Sequence, residues 1–206
     1  MPEIRSALAT VARAGRLGAQ TDAPGLTIQE VLGRDLVQVS GWLDSFAAVS
    51  AKLGTTLGCP PPSDTRTGTE AGDKRVLMVS PERYWITAPM AEGLGAKLAA
   101  EFGSEALVVT ELGHSRTVLR LTGAAVRETL AKGLPVDLEV EACPVGGFVQ
   151  SAIAHISVLV QRRPDGAGGA PVVEVFVPRG FAVNFWEWLV EAAAERGAEV
   201  LPPAAA

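Results

Sequence analysis

Residues Glu111–Leu138 read "ELGHSRTVLRLTGAAVRETLAKGLPVDL". The character of the chain changes twice within this stretch. Thr117, Val118, Leu119 and Leu121 form a β-branched and leucine-rich run that predicts a strand. After Gly123 the period lengthens: Val126, Leu130 and Ala131 recur on one side of a helix. Gly133 and Pro135 then stop that helix. A strand closed by glycine and followed by an amphipathic helix is thus the local unit, and the rest of the chain can be compared with it.

The unit recurs upstream. "LTIQEVLGRDLVQVSG" is strand-rich and ends at Gly41. Trp42, Phe46, Val49 and Leu53 follow at i, i+4, i+7 and i+11, one stripe of a helix expected to stop at Gly54. "GCPPPSDTRTGTEAGDK" has the composition of a loop and excludes helix and central strand. "RVLMVSPERYWITAP" predicts two strands joined by a Ser-Pro-Glu-Arg turn. An alanine-rich helix carrying Ala91, Leu94, Leu98 and Phe102 is closed by Gly103.

The second copy opens with "ALVVTELGHSRTVLRLTG" and its helix, followed by the loop-like "VDLEVEACPVGG". "FVQSAIAHISVLVQRR" reads as one long strand, "PDGAGGA" as an exposed turn and "PVVEVFVPR" as another strand. "FAVNFWEWLVEAAAERG" is the last helix, ending at Gly197. Hairpins mixed with helices, without strict βαβ alternation, predict an α+β fold: duplicated half-units with largely antiparallel sheets and helices on their faces. The expected half-units are about 25–104 and 105–206, with a junction near 103–106, preceded by an arm and linker at 1–24.

Bulk properties remove several function classes. The 206 residues carry a net charge of −5, which argues against a nucleic-acid partner, because phosphate binding needs clustered Lys and Arg. No apolar run is long enough to span a bilayer, and a secretory signal is not expected at the N-terminus. Two cysteines, Cys59 and Cys143, lie far apart with no Cys-x-x-Cys, which fits structural thiols in a reduced, cytoplasmic setting. With two histidines besides, no metal-ligand spacing occurs.

His114, beside Ser115 and upstream of Asp137, raises the question of a catalytic triad. Adjacent strand residues point to opposite faces, so His114 and Ser115 are not expected to act as base and nucleophile. No Gly-x-Ser-x-Gly elbow is present. His114 is expected at a strand entry or bulge beside Gly113, with Arg116 near it, as a structural or interface histidine. His155 is expected inside an apolar strand. The glycines at 166–169 lack the strand–loop–helix setting of a phosphate cradle.

The last helix has two apolar stripes: Phe181, Phe185, Trp188 and Leu189, and, displaced around the axis, Val183, Trp186 and Val190. Either the helix is wedged between sheet and loops, or one stripe, with Trp186 or Trp188, meets a partner subunit. The N-terminal arm places Ile4, Leu8 and Val11 on one helical face among Arg5, Arg13 and Arg16. It reads as frayed, as a presequence, or as an arm laid on another chain, with Glu3 counting against the presequence.

"RSAL" at 5–8, the 111–138 stretch with its Arg-Thr-Val-Leu-Arg-Leu, and "VEVFVPRGFAVNFWEWLVEAAAERG" with its Phe-Trp-Glu-Trp-Leu resemble the gamma subunits of heterotetrameric sarcosine oxidases. The resemblance implies a fold similar to the folate-binding domain of aminomethyltransferases, which is a duplication of α+β halves. It implies a cytoplasmic complex with alpha, beta and delta subunits that oxidises sarcosine to glycine and hydrogen peroxide. The methyl carbon leaves as methylenetetrahydrofolate or formaldehyde. FAD, FMN, NAD, tetrahydrofolate and zinc are implied for the other subunits, and no cofactor, catalytic residue or metal for this chain. Gly113 stands where folate-using relatives carry serine. The alternative is a stand-alone folate-binding or aminomethyltransferase-like protein.

Overall fold

The computed structural model describes residues 5–90, 93–103 and 107–205, and of Leu43 the backbone only. Ile4, Ala91 and residues 104–106 of the expected junction lie outside the described residues. The strands in chain order are β1 (Gly15–Leu17), β2 (Leu26–Leu32), β3 (Arg34–Gly41), β4 (Gly68–Ala71), β5 (Lys74–Ser80), β6 (Arg83–Pro89), β7 (Leu107–Glu111), β8 (Arg116–Thr122), β9 (Phe148–Ile153), β10 (Ile156–Arg163), β11 (Val172–Pro178), β12 (Ala198–Val200) and β13 (Ala204–Ala205). The helices are α1 (Leu43–Leu57), α2 (Leu94–Phe102), α3 (Val126–Ala131) and α4 (Ala182–Ala193). The expected α+β class with mostly antiparallel pairing is what forms.

The chain makes two compact units, and they are not the sequential segments 25–104 and 105–206. One unit combines the chain up to Leu32 with Ser115–Ala205; the other is Gly33–His114. The difference lies in two strands that change places. β2 pairs antiparallel with β8, Thr27 opposite Thr122 and Val31 opposite Val118. β7 pairs antiparallel with β3, Val39 opposite Val109. Gly33, at φ +71, supplies the left-handed bend that ends β2 before β3 begins one residue later. The "strand-rich stretch" that opens each copy is therefore two strands serving two different sheets.

In the first unit the described strands run β1-β12-β2-β8-β11-β10-β9, with β13 also paired to β2. Only β12 and β13 run parallel to β2. Alternate residues on one face, among them Ile28, Leu119, Leu121, Val158, Val160, Val173 and Val175, share a buried core with Val126 and Leu130 of α3 and Phe185, Trp186 and Leu189 of α4. The N-terminal arm belongs to this core. Residues 7–11 form turns, not a continuing helix; Leu8 is wholly buried, and β1 pairs with β12. Leu8 finds a ready apolar face on its own chain, so that this part of the arm is not frayed.

In the second unit the order is β4-β5-β6-β3-β7. Val49, Leu53 and Leu57 of α1 and Leu94, Leu98 and Phe102 of α2 bury against Val37, Val39, Val76, Tyr84 and Ile86. α1 runs through Gly54 and stops at Gly58, whose left-handed conformation directs its N–H back to Gly54 and Thr55 carbonyls. Trp42 is the N-cap and is exposed, outside the stripe expected of it. The region read as loop keeps that character up to Thr67 and then adds β4, an edge strand.

Candidate functional site

His114 lies in the turn Gly113–Ser115 between β7 and β8, where the chain passes from the second unit to the first. It is exposed, and its side chain forms no hydrogen bond among the described residues. Turn geometry, not strand alternation, separates it from Ser115. The Ser115 hydroxyl instead accepts from Arg116 Nη1 at 3.2 Å, and the Ser115 carbonyl accepts from the same nitrogen at 3.1 Å. Burial lowers the Arg116 pKa below its ordinary value. His155 corrects an expectation: it is not in a strand but at the tip of the β9–β10 hairpin. Ala154 and His155 take φ of +47 and +68 there, and His155 is exposed. A two-residue hairpin turn of type I′ needs positive φ at both positions, as these two residues have. The histidines thus sit in turns of different units.

The two tryptophans separate in role. Trp186 is 5% exposed and belongs to the core of the first unit, which leaves almost none of its ring for a second chain. The inward stripe is wider than the spacing suggested, because β-sheet and α3 enclose α4 over a broad arc. Trp188 is half-buried, 5.6 Å from the Phe185 ring and against Gly133, where a Cβ would sit 2.7 Å from the indole. Phe181, the other end of its stripe, is exposed beside the helix start.

The second unit holds a groove of about 780 Å3 between α1 and the Cys59–Ser63 loop. Ala47, Ser50, Ala51 and Gly54 form the helix wall, Pro60, Pro61 and Pro62 the opposite one, with Phe46 and Tyr84 below. The Phe46 and Tyr84 rings stack at 5.0 Å. Tyr84 Oη donates to the Pro62 carbonyl at 3.2 Å and shares a 3.0 Å bond with Ser50. Its burial pushes the phenol pKa up, against the Ser50 bond. Among the described residues lining the groove, Glu82 is the only charged one. A folate, with its glutamate carboxylates, calls for cations, so this donor set does not fit it. A dinucleotide does not fit the glycines at 166–169 either: they link β10 to β11 through a single 3-10 turn, and no α-helix starts there to face a phosphate.

Sequence reasoning passed over the buried polar groups. Glu174, wholly buried in β11, accepts from Arg120 Nη2 at 2.8 Å and Nε at 3.2 Å. Glu30, nearly buried in β2, accepts from the Ser6 hydroxyl at 2.5 Å, and Arg179 donates to the Arg5 carbonyl at 2.6 Å. Burial raises the Glu30 pKa, more than Ser6 and Arg179 lower it. The available signal was a lone carboxylate inside an apolar strand, as in Val173-Glu174-Val175. Cys59 and Cys143 are buried free thiols, Cys143 with its pKa pushed up by burial. Among the described residues no group of three or more His, Cys, Asp or Glu side chains gathers as for a metal. No described helix is long and apolar enough to cross a membrane.

The antiparallel sheets carrying helices superpose on an aminomethyltransferase, which puts the fold in the class of the aminomethyltransferase folate-binding fold. The glycine cleavage system aminomethyltransferase T of Bartonella henselae superposes with a TM-score of 0.61 at 16% identity, over 86% of this chain and 48% of that one. A chain of the heterotetrameric sarcosine oxidase of Corynebacterium sp. U-96, solved with pyrrole 2-carboxylate, superposes with a TM-score of 0.79 at 23% identity, over 92% and 94% of the two chains. The sarcosine oxidase, gamma subunit family model matches residues 44–195, and the chain belongs to that family. The sarcosine oxidase subunit gamma of an Arthrobacter species is 32% identical over 150 residues, 72% of this chain and 70% of its own. That of Corynebacterium sp. strain P-1 is 31% identical over 155 residues, 75% and 72%.

Proposed function

We propose that this chain is the structural, non-catalytic gamma subunit of a heterotetrameric sarcosine oxidase, assembled with alpha, beta and delta subunits in the cytoplasm. The complex oxidatively demethylates sarcosine to glycine, with hydrogen peroxide and methylenetetrahydrofolate or formaldehyde as products. FAD, FMN, NAD, tetrahydrofolate and zinc are held by the other subunits. The observation that carries this reading is the gamma-family match across residues 44–195.

Co-expression with the flavin-bearing subunits tests it. The tagged chain should bring down a yellow complex that consumes oxygen with sarcosine, while the chain alone is colourless and inert. A monomer that binds folate or transfers a methyl-derived carbon on its own, with no subunit recovered, would establish the stand-alone alternative instead.

A further inference from the structure

The groove along α1 offers hydrogen-bond acceptors and almost no donors. Pro60, Pro61 and Pro62 form one wall and carry no N–H. A phenol has one proton, and Tyr84 gives its own to the Pro62 carbonyl at 3.2 Å. The 3.0 Å bond between Ser50 and Tyr84 therefore uses the Ser50 proton, and the Ser50 oxygen is left to accept. Thr55 donates to the Ala51 carbonyl at 3.2 Å, and the Cys59 thiol to Thr69 Oγ1 at 3.4 Å. Among the described side chains of the groove, the exposed Ser63 hydroxyl is the one donor without an acceptor. A ligand that gives hydrogen bonds is matched here, and one that must receive them is not.

Charge points the same way. Glu82 borders the end of the groove near the start of α1, where its carbonyl accepts from Gly41 N at 3.0 Å. Its carboxylate forms no hydrogen bond or ion pair among the described residues. The opposite end is bordered by Gly54, Thr55 and Gly58, where α1 stops. A helix C-terminus carries partial negative charge, and the last turn of α1 has no basic residue to offset it. From Phe46 to Thr55 the helix rises about 14 Å. Between these ends the surface is mostly apolar, floored by the stacked Phe46 and Tyr84 rings. The volume of about 780 Å3 lies in the range of small-molecule pockets.

We propose that this groove binds a small organic ammonium ion with an apolar or aromatic body, its N–H groups directed to Glu82 and its body laid on Phe46 and Tyr84. The aromatic floor suits such a ligand, since a ring face attracts a cation and packs an apolar body. A hard metal cation is a poor match, because it needs several oxygen ligands and the groove has one carboxylate. A free amino acid is a poor match too, because its carboxylate finds no cation there. The proposal goes beyond the assembly reading and does not depend on it.

The test titrates the full-length chain, alone and in its complex, with 2-phenylethylammonium, 2-phenylethanol and 3-phenylpropionate, read by saturation-transfer NMR on the ligand protons. The three probes are close in size and differ in charge. The ammonium should bind saturably and at least about tenfold more tightly than the other two. Glu82→Gln should weaken it about fivefold or more and narrow its lead over the alcohol. Ala51→Phe puts a ring into the groove from an exposed helix position and should abolish binding. The difference between wild type and this variant also separates the groove from any other amine site in the complex. Equal binding of the carboxylate, no saturable binding of the ammonium below about 10 mM, or unchanged affinity in folded Glu82→Gln overturns the proposal. If a variant fails to fold, the ranking of the three probes on the wild-type chain decides. Binding by the isolated chain that disappears in the complex would show a partner chain in the groove. That result overturns the proposal and leaves the assembly reading standing.

Discussion

Replacing Trp186 with alanine distinguishes a core anchor from an interface anchor. The indole is 5% exposed and lies in the cluster with Phe185, Leu189 and the sheet residues beneath α4. Truncating a buried tryptophan typically costs about 3–5 kcal/mol, the sum of lost transfer energy and an incompletely collapsed cavity. In a chain of this length each kcal/mol lowers Tm by roughly 2–4 °C. The product is a fall of about 6–20 °C, a large share of a total stability that rarely exceeds about 15 kcal/mol. Thermal unfolding of the isolated chain by circular dichroism reads it, with Trp42→Ala as the control. Trp42 is 70% exposed, so its truncation should stay within about 0.5 kcal/mol. A Trp186→Ala chain that melts within about 2 °C of wild type, on that same scale, yet no longer assembles would refute the core assignment.

The β9–β10 turn should accept improvement: each non-glycine residue in the left-handed region costs about 1–2 kcal/mol. Ala154→Asn with His155→Gly should therefore raise stability by about 1 kcal/mol after the added chain entropy of glycine; a lowered Tm would contradict the turn geometry. Glu30 has a raised folded pKa, so the native state binds its proton more tightly than the unfolded chain. Its burden on stability is absent below the ordinary carboxylate pKa and grows as pH rises through the folded value. Glu30→Gln should raise Tm at neutral pH, with the gain shrinking in melts taken towards acid; a gain independent of pH would exclude the titration as its source. His114→Ala should change the isolated chain by less than about 0.5 kcal/mol, since the ring is exposed. Turnover of assembled complexes should stay within about threefold, under 1 kcal/mol in barrier. A hundredfold loss in intact, fully flavinylated complexes would make His114 catalytic.

Local pattern carried much of this protein. The 3.6-residue recurrence of Val49 and Leu53, of Leu94, Leu98 and Phe102, and of Phe185 and Leu189 marks helices that form and bury those faces. Alternation and turn residues located the strands on both sides of Pro81 and the exposed glycine turn at 166–169. Such periodicities are properties of a dozen residues and survive without knowledge of the rest of the chain. They also led to the gamma-subunit resemblance, because the Arg-Thr-Val-Leu-Arg-Leu and Phe-Trp-Glu-Trp-Leu stretches are local text.

Tertiary structure decided what those faces meet. Apolar alternation shows that β2 has a face to bury, but not that its partner is β8, some 90 residues on, while β3 turns to β7. The crosswise units follow from that choice. Two apolar stripes on α4 were compatible with a partner subunit until the enclosing sheet and α3 took up Trp186. Leu8 was an unpartnered residue on an arm until the same core received it. His155 looked like strand because Ala and His favour no turn, yet the pairing of Ile153 with Ile156 leaves only two residues to reverse the chain. Period fixes which side of an element is apolar; only non-local packing, where burial outweighs the local preference of one or two residues, fixes what that side touches.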